Sequence, residues 1–388
     1  MSIATALISG DEASPQLAEA AVRAALDKAG LASAESVLLF LTPDFARHAQ
    51  TAVTAAARAA SSLQVGGGIA AGVFTEEGWV LDRPAAAAMV FGGGIALSAA
   101  DDSENTAADN STRSLLSYTA SAFVADWKEH PARFGGSFCG AGGGFEPSVW
   151  QGSRICASRR CSLAFSGARV DLGVSSGLRL LAPAQIIDLV CAYDIEEIGG
   201  RSALLSLLRA LPDALQSAWY ASSSPEHLPL PLHHLCAVLI DDSAGGDTQA
   251  ALAEGRFRPV PIVAVNADDS LTLAERAHPG QRIAWAMREP DTGIADMRRT
   301  LARLAAAASE PLAALTFSCI GRGPYFYGGD DEDRALLVKR FPGMPLLGVY
   351  GTGQLAPGCD GDNRSLHNCV VTATLSRPKG STDVQSHA

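Results

Sequence analysis

The segment Phe317-Ser318-Cys319-Ile320-Gly321-Arg322-Gly323-Pro324 holds the densest group of chemically useful side chains in this sequence. An apolar run ends here in a turn where two glycines flank an arginine. Glycine permits φ > 0 and lets another group approach the backbone closely. N–H groups of successive turn residues can converge on an anion. Arg322 offers a planar fork of donors suited to a carboxylate or phosphate. Cys319 adds a thiol, which acts as a nucleophile once a nearby cation or helix end lowers its pKa. Two further strand ends carry comparable groups. Tyr350 and Gln354 lie within Gly348-Val349-Tyr350-Gly351-Thr352-Gly353-Gln354, and His367 opens the last apolar run. If these strand ends converge, Cys319, Gly321, Arg322, Gly323, Tyr350, Gln354 and His367 line one anion-binding hollow.

The same residues admit other chemistry. Cys319 with His367 as base would make a cysteine-nucleophile enzyme, although no family-specific catalytic signature surrounds the cysteine. A scaffold or adaptor protein is the third reading. Other motifs are missing. There is no G-x-x-x-x-G-K-[ST] phosphate loop, and the glycine triplets at 66–68, 92–94 and 142–144 do not fit the dinucleotide fingerprint. His233 and His234 are adjacent, so on a strand they point to opposite faces and cannot share a metal. The acidic run Asp330-Asp331-Glu332-Asp333 suits a helix N-terminus, where negative charge is favoured. The eight cysteines include no C-x-x-C pair; Cys156 and Cys161 stand five apart on adjacent strands, which is not zinc-ligand spacing. The cysteines read as reduced thiols, and neither metal nor cofactor is expected.

The elements that must position these groups follow from pattern and composition. The chain has 388 residues, 47% hydrophobic and 18% charged, enough apolar mass for sizeable cores and too much for a disordered chain. Its net charge of −11, without a basic patch, argues against nucleic acid or an anionic membrane as partner. The first residues lack the basic region of a signal peptide, which predicts a cytoplasmic protein. Pro15 at a helix start and Gly30 at its end predict a helix over 14–30. Strands are predicted at 37–42, 65–73 and 85–91, with helices at 43–60 and 115–128. Short runs separated by turns predict hairpins from 150 to 174, with 186–195 extending that sheet. A helix broken at Pro212 follows, and Ser222 to Glu226 reads as a connecting segment. Beyond it, strands are expected at 235–240, 259–265, 271–275, 282–287, 312–320, 345–350 and 368–375, and helices at 294–307 and 331–340. The fold class is α+β: two mixed α/β domains with largely antiparallel sheets flanked by helices. A possible internal pseudo-repeat relates 36–92 to 312–375, with Thr42 and Cys319 both ending a first strand and Gly68 matched to Gly348.

The C-terminal half resembles the FIST C-terminal domain. The likeness rests on Phe317 to Gly323, on Gly353-Gln354 with Pro357, and on Leu366-His367 before the final strand. Arg288-Glu289, closing a strand ahead of a helix, resembles a further family motif and adds Arg288 to the ligand-binding set. The N-terminal half resembles the FIST N-terminal domain through Gly66 to Gly72, Gly135-Gly136 with Gly140, and Gly177-Leu178-Arg179-Leu180-Leu181. The resemblance implies domains at 20–222 and 223–376; the last dozen residues, 377–388, read as a disordered tail. It further implies a cytoplasmic sensory protein of bacterial signal transduction that binds a small ligand, an amino acid or another small carboxylate, and passes its signal to a downstream signalling protein rather than to an output domain of its own. No enzymatic activity is implied. The sequence departs from the family pattern at Gln354 and Ala141, where acidic residues are usual, at Leu178, where Trp is common, and at Ile320, where a polar residue is frequent. An amine contact is therefore weakened more than a carboxylate contact through Arg322.

Overall fold

The structure is a computed structural model that describes residues 2–100, 114–129, 131–140, 147–221, 230–240, 251, 256–308 and 310–378. It is α+β, and its sheets are largely antiparallel. Packing divides the chain into two compact units, Met1–Ser176 with Asp296–Ala388, and Gly177–Ala295. The sequential halves expected at 20–222 and 223–376 cut across these units, because 177–295 is inserted within the first. The connecting segment at 222–226, the loop at 101–113 and residues 379–388 lie outside the described residues.

Three six-stranded sheets form the first unit, and all three follow one plan. Two central strands run parallel, a closing strand lies antiparallel to the first of them, and an edge strand flanks the closing strand. In the first sheet the parallel pair is Ser36–Leu41 with Val65–Ile69, closed by Ala85–Phe91 and edged by Ile3–Ser9. In the second it is Leu115–Thr119 with Arg133–Ser137, closed by Arg160–Ser166 and edged by Ala96–Ala99. In the third it is Ala313–Cys319 with Leu346–Gly351, closed by Val370–Ser376 and edged by Arg169–Ser175. The chain is thus three consecutive repeats, the third interrupted by the inserted unit.

Each repeat also gives away a hairpin. Gly72–Thr75 with Trp79–Val80 leaves the first repeat and adds to the third sheet. Val149–Gln151 with Arg154–Ile155 leaves the second and adds to the first. Gly353–Pro357 with Asn363–Leu366 leaves the third and adds to the second. The exchange closes a cycle, so no repeat completes its sheet without a neighbour.

Strand alternation turns one face of every sheet inward. Phe40, Tyr118 and Phe317 hold the same position in the three repeats and belong to one shared core. The Phe40 ring centroid lies 5.9 Å from that of Tyr118 and 6.3 Å from that of Phe317. Beside these rings the parallel strands pinch together. Gly67 (φ 144°) and Gly135 (φ 148°) stand opposite Leu39 and Ser117, and an added Cβ would come within 1.7 Å of the Leu39 carbonyl oxygen and 1.8 Å of the Ser117 carbonyl oxygen. Glycine is the residue that fits both places.

The outer faces differ. Helices Pro15–Ala29 and Ala49–Ala60 cover the first sheet with alanine-rich faces packed on Val37, Leu39 and Leu41. The third sheet packs against Met297, Leu301 and Leu304 of helix Pro290–Ala307 and Leu337 of helix Glu332–Arg340. On the second sheet, Arg133 lies under the Trp127 ring and donates to Ser117 and Ser162.

In the second unit, strand Arg282–Arg288 pairs with Leu235–Ile240, and the pairing continues through Phe257–Val265, Leu271–Leu273, Asp194–Ile198 and Gln185–Cys191 back to Arg282–Arg288. The result is a closed antiparallel ring. Leu204, Leu207 and Leu208 of helix Ala203–Ala210 pack into its apolar interior.

Three sequence expectations change. The helix at 115–128 is strand Leu115–Thr119 followed by a 3₁₀ turn at Ala125–Trp127, because alternation along 115–119 serves the parallel pairing with Arg133–Ser137. Strand 186–195 does not extend the earlier hairpins; Gln185–Cys191 belongs to the ring of the inserted unit. The pseudo-repeat is threefold, and its match moves by one residue. Phe40 lies opposite Gly68 and Phe317 opposite Val349, so Gly348 corresponds to Gly67.

Candidate functional site

The third repeat's first parallel strand delivers Cys319 to its end. The backbone bond there recurs in every repeat: Thr42 N donates to Ala85 O at 3.1 Å, Ala120 N to Arg159 O at 2.9 Å, and Cys319 N to Cys369 O at 3.0 Å. A 3₁₀ turn follows in the first and third repeats, Pro43–Phe45 and Ile320–Arg322, and in both its last side chain is buried.

Arg322 is 1% exposed and fully engaged by protein groups. Its Nε and Nη2 reach the two oxygens of Asp333 at 3.0 and 3.1 Å, and its Nη1 and Nη2 reach the carbonyl and hydroxyl oxygens of Ser175 at 2.9 Å each. Tyr327 donates to Asp333 at 2.9 Å. Burial alone would lower the guanidinium pKa; the Asp333 charge outweighs it and holds the value above normal. The buried charge is therefore neutralised from within the fold. Nearby, Asp331 caps helix Glu332–Arg340 by accepting from Arg334 N at 2.9 Å, and it also accepts from the Tyr350 hydroxyl. Burial raises the Asp331 pKa to about 6, against the cap and tyrosine bonds that favour its charged form. The acidic run thus serves a helix start, as its sequence suggested.

A second group gathers around the hairpin handed to the second sheet. Gln354 is 2% exposed, and its Oε1 accepts from Cys369 Sγ at 3.6 Å. Its Nε2 is buried without a hydrogen-bond partner among the described residues. His367 Nδ1 lies 3.2 Å from the Thr352 carbonyl oxygen. A carbonyl only accepts, so Nδ1 carries the proton in this contact. Thr352 is itself fixed, its N–H donating to Ser137 O at 3.0 Å and its hydroxyl to Cys139 O at 2.7 Å. Cys319 Sγ donates to Asn368 Oδ1 at 3.6 Å, and Asn368 sits at φ 57°. A Cβ at Gly321 would meet that same Oδ1 at 3.0 Å, a tight contact with the Asn368 side chain.

The sequence-selected residues therefore fall into separate groups. Arg322 and Tyr350 belong to the ion-pair and capping networks beneath the helices. Gly321 and Gly323 shape the turn between. Cys319, Gln354 and His367 gather with Asn368, Cys369 and Thr352 where the second and third repeats interlock. Arg288 lies in the inserted unit, where Nη1 donates to the His233 carbonyl at 3.0 Å. Sequence reasoning missed Ser175 and Asp333 as partners of Arg322, and Asn368 as partner of Cys319. No local signal marks Ser175, 147 positions from Arg322. Asn368 directly follows His367 and was open to notice. Among the described residues no cluster of three or more His, Cys, Asp or Glu is arranged to hold a metal, and no helix is long and apolar enough to cross a membrane.

Comparison with known proteins bears on this region. The FIST C domain matches residues 217–357, which include the 3₁₀ turn Ile320–Arg322, both Asp331 and Asp333, and Gln354. An uncharacterized protein of Mycobacterium bovis is 27% identical over 187 residues, covering 47% of this chain and 45% of the relative. An uncharacterized protein of Mycobacterium tuberculosis is 22% identical over 224 residues, covering 57% of this chain and 54% of the relative. The chain thus spans about half the length of the curated relatives it matches.

Proposed function

We propose that this chain, whose residues 217–357 match the FIST C domain, is a sensory protein that binds a small polar ligand where the second and third repeats interlock. The observation that carries the reading is the Gln354 amide: buried, with an N–H₂ donor that no described protein group accepts. A buried donor without a partner costs roughly 1–3 kcal/mol, and a ligand oxygen would recover that. His367, one residue past the same hairpin's return strand, would supply an acceptor at Nε2. Donor and acceptor together suit an amino acid, its carboxylate on Gln354 and its amine on His367, or another small carboxylate. Arg322 does not serve as the carboxylate anchor in this reading, since Asp333 and Ser175 occupy it. The site is proposed to work in the cytoplasm, in keeping with the acidic composition of the chain, and its output is proposed to pass to a partner protein. The N-terminal portion is read as the FIST N-terminal domain on its own glycine motifs.

The cysteine-nucleophile alternative has weaker support, because the Cys319 thiol acts as a donor to an amide oxygen rather than facing a base. A thermal-shift panel of amino acids, small carboxylates and their neutral amides tests the binding reading. A true ligand at about 100 times Kd should stabilise the protein by about 2.7 kcal/mol. The shift should vanish in Gln354→Met and weaken in His367→Ala. A panel in which nothing shifts the wild type overturns the reading.

A further inference from the structure

We infer that Cys156 and Cys161 form a reversible disulfide in response to hydroperoxide, a redox-modification site set where the second repeat hands its hairpin to the first. Both cysteines are reduced, and their sulfurs stand 3.0 Å apart. That is about 1 Å beyond the length of a disulfide bond, so small side-chain rotations suffice to join them. The backbone already holds the intervening loop closed. Cys156 N donates to Val149 O at 2.8 Å, and Arg159 N donates back to Cys156 O at 3.0 Å. Arg159 adopts φ 57°, which makes the tight turn that brings Cys161 alongside.

The two sulfurs are unequal in a useful way. Cys156 is partly exposed and reachable from solvent, whereas Cys161 is buried opposite Tyr118 in the shared core. The hydrogen bond from Cys161 lowers the Cys156 pKa, with burial opposing it. Reactivity follows thiolate character and access. Cys156 is thus the attacking sulfur and Cys161 the resolving one. The Cys156 thiolate attacks one peroxide oxygen; the O–O bond breaks, the departing oxygen leaves as an alcohol or water after taking a proton, and Cys156 becomes a sulfenic acid. Cys161 sulfur then attacks Cys156 sulfur, the S–O bond breaks, and a second water leaves with the Cys161 proton. Two thiols are oxidised by two electrons and one peroxide is reduced; a dithiol reductant reverses the exchange.

The bridge would join the end of the donated hairpin, Val149–Ile155, to the closing strand of its own repeat, Arg160–Ser166. Oxidation would therefore lock the point where the first two repeats interlock. Tyr118, whose hydroxyl accepts from Gly67 N at 2.7 Å and donates to Trp150 O at 3.0 Å, is the neighbour that would register the change.

Peptide mapping of the full-length wild type tests this without relying on any variant. Trypsin cuts after Arg154, Arg159, Arg160 and Arg169, so the bridge would link Ile155–Arg159 to Cys161–Arg169. After stoichiometric hydrogen peroxide this linked pair should appear, with an intact mass lower by about 2 Da, and dithiothreitol should remove both. In Cys161→Ser the bridge should be absent, and dimedone should trap a sulfenic acid on Cys156. The inference fails if oxidised wild type shows no linked pair while Cys156 is over-oxidised or still alkylates freely. It also fails if the only links join Cys139, Cys191 or Cys359, the exposed cysteines.

Discussion

Phe45 and Arg322 occupy the same place in two copies of one plan. Each ends the 3₁₀ turn that follows the first parallel strand, and each is buried to within 1%. Phe45 packs among the alanines of two helices. Arg322 instead faces Asp333, Tyr327 and Ser175. The difference extends to a cross-strand pair on the outer face. Where the first sheet presents Leu39 opposite Ala88, the third presents Thr316 opposite Thr372, and both threonine hydroxyls are buried without partners among the described residues. The first repeat shows what the plan needs in order to fold. The third carries, where the first is apolar, an ion pair satisfied within the fold and two threonine hydroxyls that are not.

Breaking the ion pair should give the largest effect. Arg322→Ala leaves Asp333 buried and unpaired and should cost about 3–5 kcal/mol in denaturant unfolding. Phe45→Ala should cost a similar amount, about 3–5 kcal/mol, by opening a cavity. The two sites then part company: Arg322→Met with Asp333→Leu should recover most of the loss, making the third repeat resemble the first. If the double variant is as unstable as Arg322→Ala, the ion pair is not an optional substitute for an apolar plug.

The pinch between parallel strands should be nearly as sensitive. Gly67→Ala and Gly135→Ala each force a Cβ onto a carbonyl oxygen in a left-handed backbone, and each should cost about 3 kcal/mol or more. Gly78→Ala, where nothing lies within 4 Å, should cost less than about 1 kcal/mol. Equal losses at both kinds of position would contradict the strand geometry.

Asp331 sharpens the comparison in pH. Its folded pKa, about 6, lies above the usual carboxylate value, so the folded state binds its proton more tightly than the unfolded state. This group therefore favours folding below the unfolded pKa, and the benefit is lost as pH rises through about 6. Between pH 7 and pH 4 the wild type should gain stability relative to Asp331→Asn, which keeps a capping side chain. A difference that does not change with pH would mean Asp331 stays charged throughout.

The smallest effect concerns Gln354. Gln354→Met removes a buried donor that has no partner among the described residues and should leave the ligand-free protein unchanged or about 1 kcal/mol more stable. Clear destabilisation would mean the amide is structural.

Much of the fold was legible because alternation and turn chemistry are local. Pro15 and Gly30 bracket the first helix, and Gly30 ends it at φ 68°. Leu115–Thr119 misled because five residues of mixed polarity fit a strand or a helix turn equally, and its parallel partner lies beyond the loop. The inserted unit was invisible for a different reason: Ser175 and Asp296 bond across 121 positions, and no pattern along the chain announces it. At the candidate site, residue types pointed to the right turn, while the role of Arg322 depended on partners that only folding supplies. Gln354 stood out in sequence as a departure from an acidic position, and its Nε2, without a partner among the described residues, makes that departure informative.

Native mass spectrometry of freshly purified protein addresses the central claim most directly. The account predicts a second species heavier than the chain by the mass of a small polar metabolite, absent from Gln354→Met carrying His367→Ala. Wild type and double variant both flying at the bare chain mass, with no metabolite able to add to the wild type on titration, would contradict it.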